Sequence, residues 1–184
     1  MKYNINSVLL VCLAVYLSGC ASPARVDSMT VAGQPSQRIA ASPLRDNLAI
    51  KDVTGGKETN PMWKSNIGST EFEQALEGSL KSVGLLAPRQ GGRYMLTAHL
   101  ENVDQPFVGF SMTVTSSVRY MVTERATGKE IFSKTIVSPY TASVSDAFVG
   151  SERLRLANEG SIRENITQII DELFKINIHS VSIN

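Results

Sequence analysis

Cysteine is almost absent from this chain. Cys12 and Cys20 are the only two in 184 residues. Both fall in the first twenty positions, so the rest of the chain has no internal disulfide and must draw its stability from an apolar core. Histidine is as scarce: His99 and His179 are the only two. Neither has a nearby Cys, Asp or Glu at metal-ligand spacing, so no metal or other cofactor is expected. An excess of one charge is also lacking, with 18 Lys and Arg against 17 Asp and Glu. That balance excludes the basic field through which proteins capture nucleic acid. No apolar run approaches the ~20 residues of a membrane-spanning helix. Catalytic signatures are missing as well. Gly109-Phe110-Ser111-Met112-Thr113 comes nearest to a nucleophile elbow, but Ser111 falls in a strand rather than a strand-to-helix turn. Gly55-Gly56-Lys57-Glu58 has Lys51 where a phosphate loop has its first glycine, and Glu58 where it has Ser or Thr. Scattered carboxylates (Asp52, Glu101, Asp104, Glu130, Asp146) have no spacing that brings two of them together for acid–base work. The expectation is a protein that is not an enzyme.

What is present begins at the N-terminus. Met1 and Lys2 form a short positive start, and Val8 to Leu17 form an apolar run of roughly ten residues, half the length of a bilayer span. The run ends in Leu17-Ser18-Gly19-Cys20. This resembles the lipobox of bacterial lipoproteins, in which small residues precede an obligatory cysteine. The resemblance implies diacylglyceryl transfer to the Cys20 thiol, cleavage before Cys20, and acylation of the new amine by a fatty acid such as palmitate. Two or more chains anchor a protein stably to a leaflet without a transmembrane helix. Ala21 follows where an aspartate would favour inner-membrane retention in lipoproteins of enteric type, so the expected address is the periplasmic face of the outer membrane. Cleavage removes residues 1–19 and with them Lys2, leaving 17 basic and 17 acidic side chains in the mature chain.

Residues 20–43 read as the lipidated N-terminus and a flexible tether, rich in Ala, Ser, Gln and Arg and broken by Pro23, Pro35 and Pro43. A segment of that length spans roughly 25–30 Å. Val26 to Val31 offers an alternative, a short edge strand. Residues 44–184 read as one domain. Leu48 to Val53 is a candidate strand. A long polar loop follows, carrying Met62 and the only tryptophan, Trp63. Thr70 and Glu73 fit a capping box, ahead of a helix that places Phe72, Leu76, Leu80 and Val83 on one face. Gly84 is placed to end it in the left-handed conformation, and Pro88 forbids continuation. Tyr94, Leu96, Ala98 and Leu100 then alternate with polar residues. After Gln105-Pro106, Phe110, Met112, Val114, Ser116, Val118, Tyr120 and Val122 alternate with Ser111, Thr113, Thr115, Ser117, Arg119 and Thr123. Such a period of two means a sheet with one dry and one wet face. Gly128 supplies a hairpin turn, and residues 129–137 return as the partner, with Pro139 at an edge. A second helix runs from about Ser151 to Ile176. Leu154, Asn158, Ile162, Ile166, Ile169 and Leu173 form its inward stripe, and Arg153, Arg155, Arg163 and Glu164 lie outside it. Gly160 interrupts the pattern at a cost of about 1 kcal/mol relative to alanine.

The order β-α-β-β-β-α predicts an α+β fold: a two-layer sandwich with an antiparallel sheet of about four strands and both helices on its dry face. With that order behind a lipobox, the chain resembles the small α+β lipoproteins of Gram-negative envelopes. These include YajG-type lipoproteins, lipopolysaccharide-assembly lipoproteins and auxiliary lipoproteins of ABC-type lipid transporters. The stretches 55–63 and 153–160 are similar to a group of proteobacterial lipoproteins without assigned activity. The resemblance implies a non-catalytic binding or assembly module, held at the membrane by its acyl and diacylglycerol groups and engaging an envelope protein. Candidate partner-binding residues are Met62, Trp63, Phe107 and Val108. A transport auxiliary holding a lipid ligand in a groove between helices and sheet, and an envelope enzyme acting on glycans or acyl groups, are the alternatives.

Overall fold

In the computed structural model, residues 21–33, 42–60, 64–87 and 91–176 are described. Their elements are α1 (Val26–Met29), β1 (Leu48–Thr54), α2 (Ser69–Ser82), β2 (Tyr94–Asp104), β3 (Met112–Glu124), β4 (Glu130–Ala142) and α3 (Gly150–Lys175). One sheet runs in the order β1-β2-β3-β4. Helices α2 and α3 pack on the face formed by Leu96, Ala98, Val118, Tyr120 and Val122. The expected two-layer sandwich is present, with two corrections. The sheet is mixed, because β1 pairs with β2 in parallel while the other pairs are antiparallel. The connection suits this: α2 lies between β1 and β2 and supplies the crossover that a parallel pair needs. The second correction is the extra helical turn α1 ahead of β1, where a tether or an edge strand was expected.

Local chemistry accounts for the element ends. Phe72, Ala75, Leu76, Ser79 and Leu80 are the buried positions of α2. The capping box does not form. The helix starts at Ser69 behind Gly68, which has no side chain to cap with, and the Ser69 hydroxyl accepts the Gly56 amide at 3.0 Å. At the other end Gly84 adopts φ 74°, and the Leu85 amide closes onto the Leu80 carbonyl at 3.0 Å. Gly128, at φ 70°, turns β3 into β4. Pro139 lies in edge strand β4, where a missing amide removes no ladder bond.

The N-terminal segment is a strap rather than a free tether over residues 21–33. Met29 is fully buried and Ala24 nearly so. The Val31 amide donates to Ser79 Oγ at 2.8 Å, and the Gly33 amide donates to Ser82 Oγ at 2.8 Å. Arg163 donates to the Ser28 carbonyl at 2.9 Å. The backbone amide of Arg25 donates to Glu159 Oε1 at 2.8 Å. Three spaced apolar side chains (Ala24, Val26 and Met29) suffice to hold the segment, though Pro, Ser and Arg dominate its composition. The remainder of the 20–43 stretch includes positions outside the described residues.

Helix α3 is continuous for 26 residues despite Gly160. The glycine has a packing reason: a Cβ there would sit 2.2 Å from Cδ1 of Tyr140 on β4. Its inward stripe is as expected, with Leu154, Asn158, Ile162, Ile166, Ile169 and Leu173 all buried. Arg153 and Arg155, expected outside, are buried at 7% and 4% exposure. A polar seam joins α3 to the sheet. The Tyr120 hydroxyl donates to Asn165 Oδ1 at 2.9 Å, and Asn165 Nδ2 donates to the Ile136 carbonyl at 2.9 Å. Ser161 Oγ accepts the Ser116 amide at 2.9 Å and donates to the Ser138 carbonyl at 2.7 Å. Burial pushes the Tyr120 hydroxyl well above the ordinary tyrosine range.

The packing makes three predictions. Gly160→Ala gains helix propensity yet drives a methyl into the Tyr140 ring, so a net loss of about 1–3 kcal/mol is expected in denaturant titration. The Gly160→Ala, Tyr140→Ala pair should lose less than the sum of the two single changes. Asn165→Leu strands the Tyr120 hydroxyl and the Ile136 carbonyl in a dry layer, at about 1–3 kcal/mol, and adding Tyr120→Phe should recover part of the loss. Because the folded Tyr120 resists ionisation, its share of stability is complete below its unfolded pKa and declines as pH rises above about 10. Tyr120→Phe should therefore flatten the alkaline limb of a stability–pH curve.

Candidate binding surface

The residues that sequence reasoning singled out divide three ways. Leu17, Ser18, Gly19, Cys20, Met62 and Trp63 lie outside the described residues, as does His179. Phe107 and Val108 lie on the connection from β2 to β3 and are 93% and 77% exposed. The face of the sheet away from the helices carries Thr113, Thr115, Ser117 and Arg119. Thr113 is hydrogen-bonded across to Thr141 at 2.9 Å. His99 also lies on this face, its Nδ1 2.8 Å from Thr54 Oγ1.

Phe107 and Val108 belong to a larger feature. Phe110, expected on the dry face by alternation, is 88% exposed, because β3 begins only at Met112 and the parity of a strand does not extend past its end. Phe148 and Val149, on the connection from β4 to α3, are 89% and 51% exposed. Strands β3 and β4 are antiparallel and both connections meet at the same end of the sandwich. Three phenylalanines therefore project from two neighbouring loops. Sequence reasoning missed Phe110 and Phe148. The available signal was an apolar residue in a short loop at each connection on one end of the sheet.

Arg153 joins the loops. Its guanidinium donates to the carbonyls of Ala147 (2.8 Å) and Phe148 (2.7 Å) on one loop and of Gly109 (3.1 Å) on the other. A buried guanidinium needs acceptors for its fixed fork of N–H groups, and the loop carbonyls supply them for Nη1 and Nη2, while the buried Nε has none. Beneath it a small satellite core of Met112, Val114, Ala142, Leu154 and Ala157 supports the tip. The β4–α3 loop is further fixed by Asp146, which accepts the Ser143 amide at 2.7 Å and the Ser143 hydroxyl at 2.8 Å. Those two bonds hold its carboxyl below the usual carboxylate range. The exposed aromatic rings are thus mounted on backbone that is tied down on both sides.

A second polar cluster lies one to two helical turns along α3. Arg155 pairs with both Glu152 and Glu159, bonding Glu152 Oε2 through Nε at 2.9 Å. Glu159 is 2% exposed and also receives the strap through the Arg25 amide. The bond from Arg155 lowers the Glu152 carboxyl's affinity for protons, and the same bond raises that of Arg155. Asn158 donates to the Ser65 carbonyl at 3.0 Å, and Gln105, at the root of the phenylalanine loop, reaches the same oxygen at 3.2 Å. The adjoining cleft, about 110 Å³ in volume, is lined by both polar residues (Lys57, Lys64, Glu101) and apolar ones (Ile67, Leu100, Val103). Between helices and sheet, Leu76, Leu80, Leu96, Ile162 and Ile166 are fully buried and fill the layer. Among the described residues there is no group of three His, Cys, Asp or Glu placed to hold a metal. Nor is there a helix long and apolar enough to cross a membrane.

No protein-family model matches the chain, and no curated protein matches it. Its fold does have solved counterparts. A Xanthomonas campestris protein of the DUF330 family superposes with a TM-score of 0.62 at 10% identity, covering 84% of this chain and 96% of that one. A provisionally assigned lipoprotein from Caulobacter crescentus superposes with a TM-score of 0.52 at 12% identity, covering 76% of this chain and 95% of its own. At such identities the likeness is one of fold. Both counterparts come from Gram-negative bacteria, in keeping with the resemblance to small α+β envelope lipoproteins carried by the sequence.

Proposed function

We propose that this protein is an envelope lipoprotein, fastened by acyl groups on Cys20 to the periplasmic face of the outer membrane. In this reading its domain is a non-catalytic binding or assembly module whose contact surface is the tip formed by Phe107, Val108, Phe110 and Phe148. The observation that carries the reading is the exposure of these side chains on loops held rigid by a buried arginine. Fully exposed aromatics on fixed backbone mark an interaction site, because aromatic anchors dominate the energetics of contact surfaces and a mobile loop would bury them on its own domain. The signal-like N-terminus ending in Leu17-Ser18-Gly19-Cys20 supports the anchor, and the Caulobacter counterpart supports a lipoprotein assignment for the fold.

The anchor is tested by labelling cells with an alkyne fatty acid and separating membranes from soluble contents. The wild-type chain should carry label and sediment with outer membrane. Cys20→Ala should carry none and retain residues 1–19, or appear in the soluble fraction. A Cys20→Ala chain that is labelled, cleaved and membrane-bound like the wild type would overturn the reading.

A further inference from the structure

We propose that the tip inserts into the bilayer leaflet itself, so that the domain stands on the membrane on its three phenylalanines instead of hanging from a flexible leash. This rests on the reading of Cys20 as the acylated residue, and it names the leaflet as what the tip contacts.

The chain joins the domain along one side of α3. The strap contacts Ser82 at Gly33, Ser79 at Val31, Arg163 at Ser28 and Glu159 at Arg25. Traced backwards, it moves along α3 toward Gly150, the end from which Phe148 projects. At Ala24 its amide meets the Asn66 carbonyl at 3.5 Å, beside the Ser65 carbonyl that Gln105 holds at the root of the phenylalanine loop. Ala21 is itself buried, at 7% exposure. From Arg25 to Ala21 four residues cover up to about 13 Å, and the nine helical residues from Gly150 to Glu159 span about the same. Cys20 is one peptide unit, about 3.8 Å, beyond Ala21. An acyl group on Cys20 is therefore within reach of the tip side of the domain, without a long tether between lipid and protein.

The composition of the tip fits an uncharged, apolar medium. Residues 105–111 contain no charged side chain. Residues 143–151 contain one, Asp146, whose carboxylate is turned onto Ser143. Phenylalanine and valine gain by entering the boundary between head groups and acyl chains, and the 105–111 loop, which has no charge, loses no ionic hydration there, while Asp146 of the other loop stays at the head-group level. The rings stand out from two loops as separate wedges. A protein partner would need a matching pocket for each, whereas a fluid leaflet closes around any of them. The absence of exposed Lys and Arg in these loops also means that attachment does not depend on anionic head groups, so added salt should not weaken it.

The test places a single reporter tryptophan in the acylated, full-length mature protein after Trp63→Phe. The protein is reconstituted in phosphatidylethanolamine–phosphatidylglycerol vesicles carrying acyl-chain bromine quenchers. Phe107→Trp and Phe148→Trp report from the tip. Ala126→Trp reports from the β3–β4 turn, about 40 Å away along a 13-residue strand. Tip tryptophans should be quenched roughly twofold or more by the brominated lipid and shift to the blue, equally in low and high salt, while Ala126→Trp should be unaffected. Replacing Phe107, Phe110 and Phe148 by serine should raise the fraction that washes off the vesicles roughly tenfold. A protein that stays bound through its acyl groups while its tip tryptophans answer only to a water-soluble quencher would overturn the insertion and leave the anchor standing. A blue shift that depends on protein concentration and not on brominated lipid would overturn it in favour of a second copy at the tip. A chain that carries no acyl group would overturn the anchor as well.

Discussion

The irregular parts of this molecule depend on polar side chains buried along one helix. Arg153 of α3 collects the carbonyls of both loops at the tip. Asn158 takes the Ser65 carbonyl, and Glu159 takes the Arg25 amide of the strap. Ser161 and Asn165 bond to the carbonyls of β4 and to Tyr120 and Ser116 of β3. Loops carry unpaired backbone groups wherever they leave the regular ladders, and each must be satisfied or left in water. Here successive turns of one helix satisfy them. The arrangement works only because α3 lies close against β4, and that closeness requires a glycine at position 160, where Tyr140 leaves no space for a methyl.

Charged groups in such positions give little net stability by themselves, since desolvation offsets much of what pairing returns. Their effect is positional. An aliphatic residue in place of Arg153 would fill volume but leave the Gly109, Ala147 and Phe148 carbonyls without a common donor. The two loops would then be free to fold their rings back onto the domain. Glu159 works similarly: it ties the first residues of the strap to α3 while Arg155 balances its charge. The exposed aromatic tip and the packed strap are thus two outcomes of the same choice, buried hydrogen-bonding groups near the start of α3.

The sequence revealed what periodicity and turn chemistry encode. The alternation over β3, the apolar face of α2, the inward stripe of α3 and the glycines at 84 and 128 all have their expected places. It was silent where tertiary contacts override local preference. Arg153 and Arg155 were read as solvent-facing because charge usually means water, yet a long side chain on the flank of a stripe can turn inward when carbonyls or carboxylates await it. Composition makes the strap look like a tether because it averages over residues, and a buried Met29 among Pro, Ser and Arg does not change the average. The hairpins lead to an antiparallel sheet, whereas the helix between the first two strands leaves room for the parallel pair that forms. Thr70 and Glu73 had the spacing of a cap, but Ser69 took the role of first helical residue once its hydroxyl met Gly56. Phe107 and Val108 were identified from composition alone. Their joining with Phe110 and Phe148 depended on which strand ends meet, and that is a property of the sheet.

A packed strap changes what an acyl anchor on Cys20 would do. With a tether of two dozen flexible residues, the domain would sample a shell tens of ångströms deep and meet partners in any orientation. With the strap docked from Ala21 onward, position and orientation are fixed together. The strands run toward the tip, so insertion of the tip would stand the sheet upright on the leaflet. The open face with Thr113, Thr115, Ser117 and Arg119 would then look sideways, parallel to the membrane, and β4, the outer strand among the described residues, would do the same. A partner in the same leaflet would find that face at a constant height and angle, without having to pay the ordering entropy that a mobile tether imposes on each encounter. Mounted in that way, the domain would favour lateral assembly within the plane of the membrane over capture of soluble molecules.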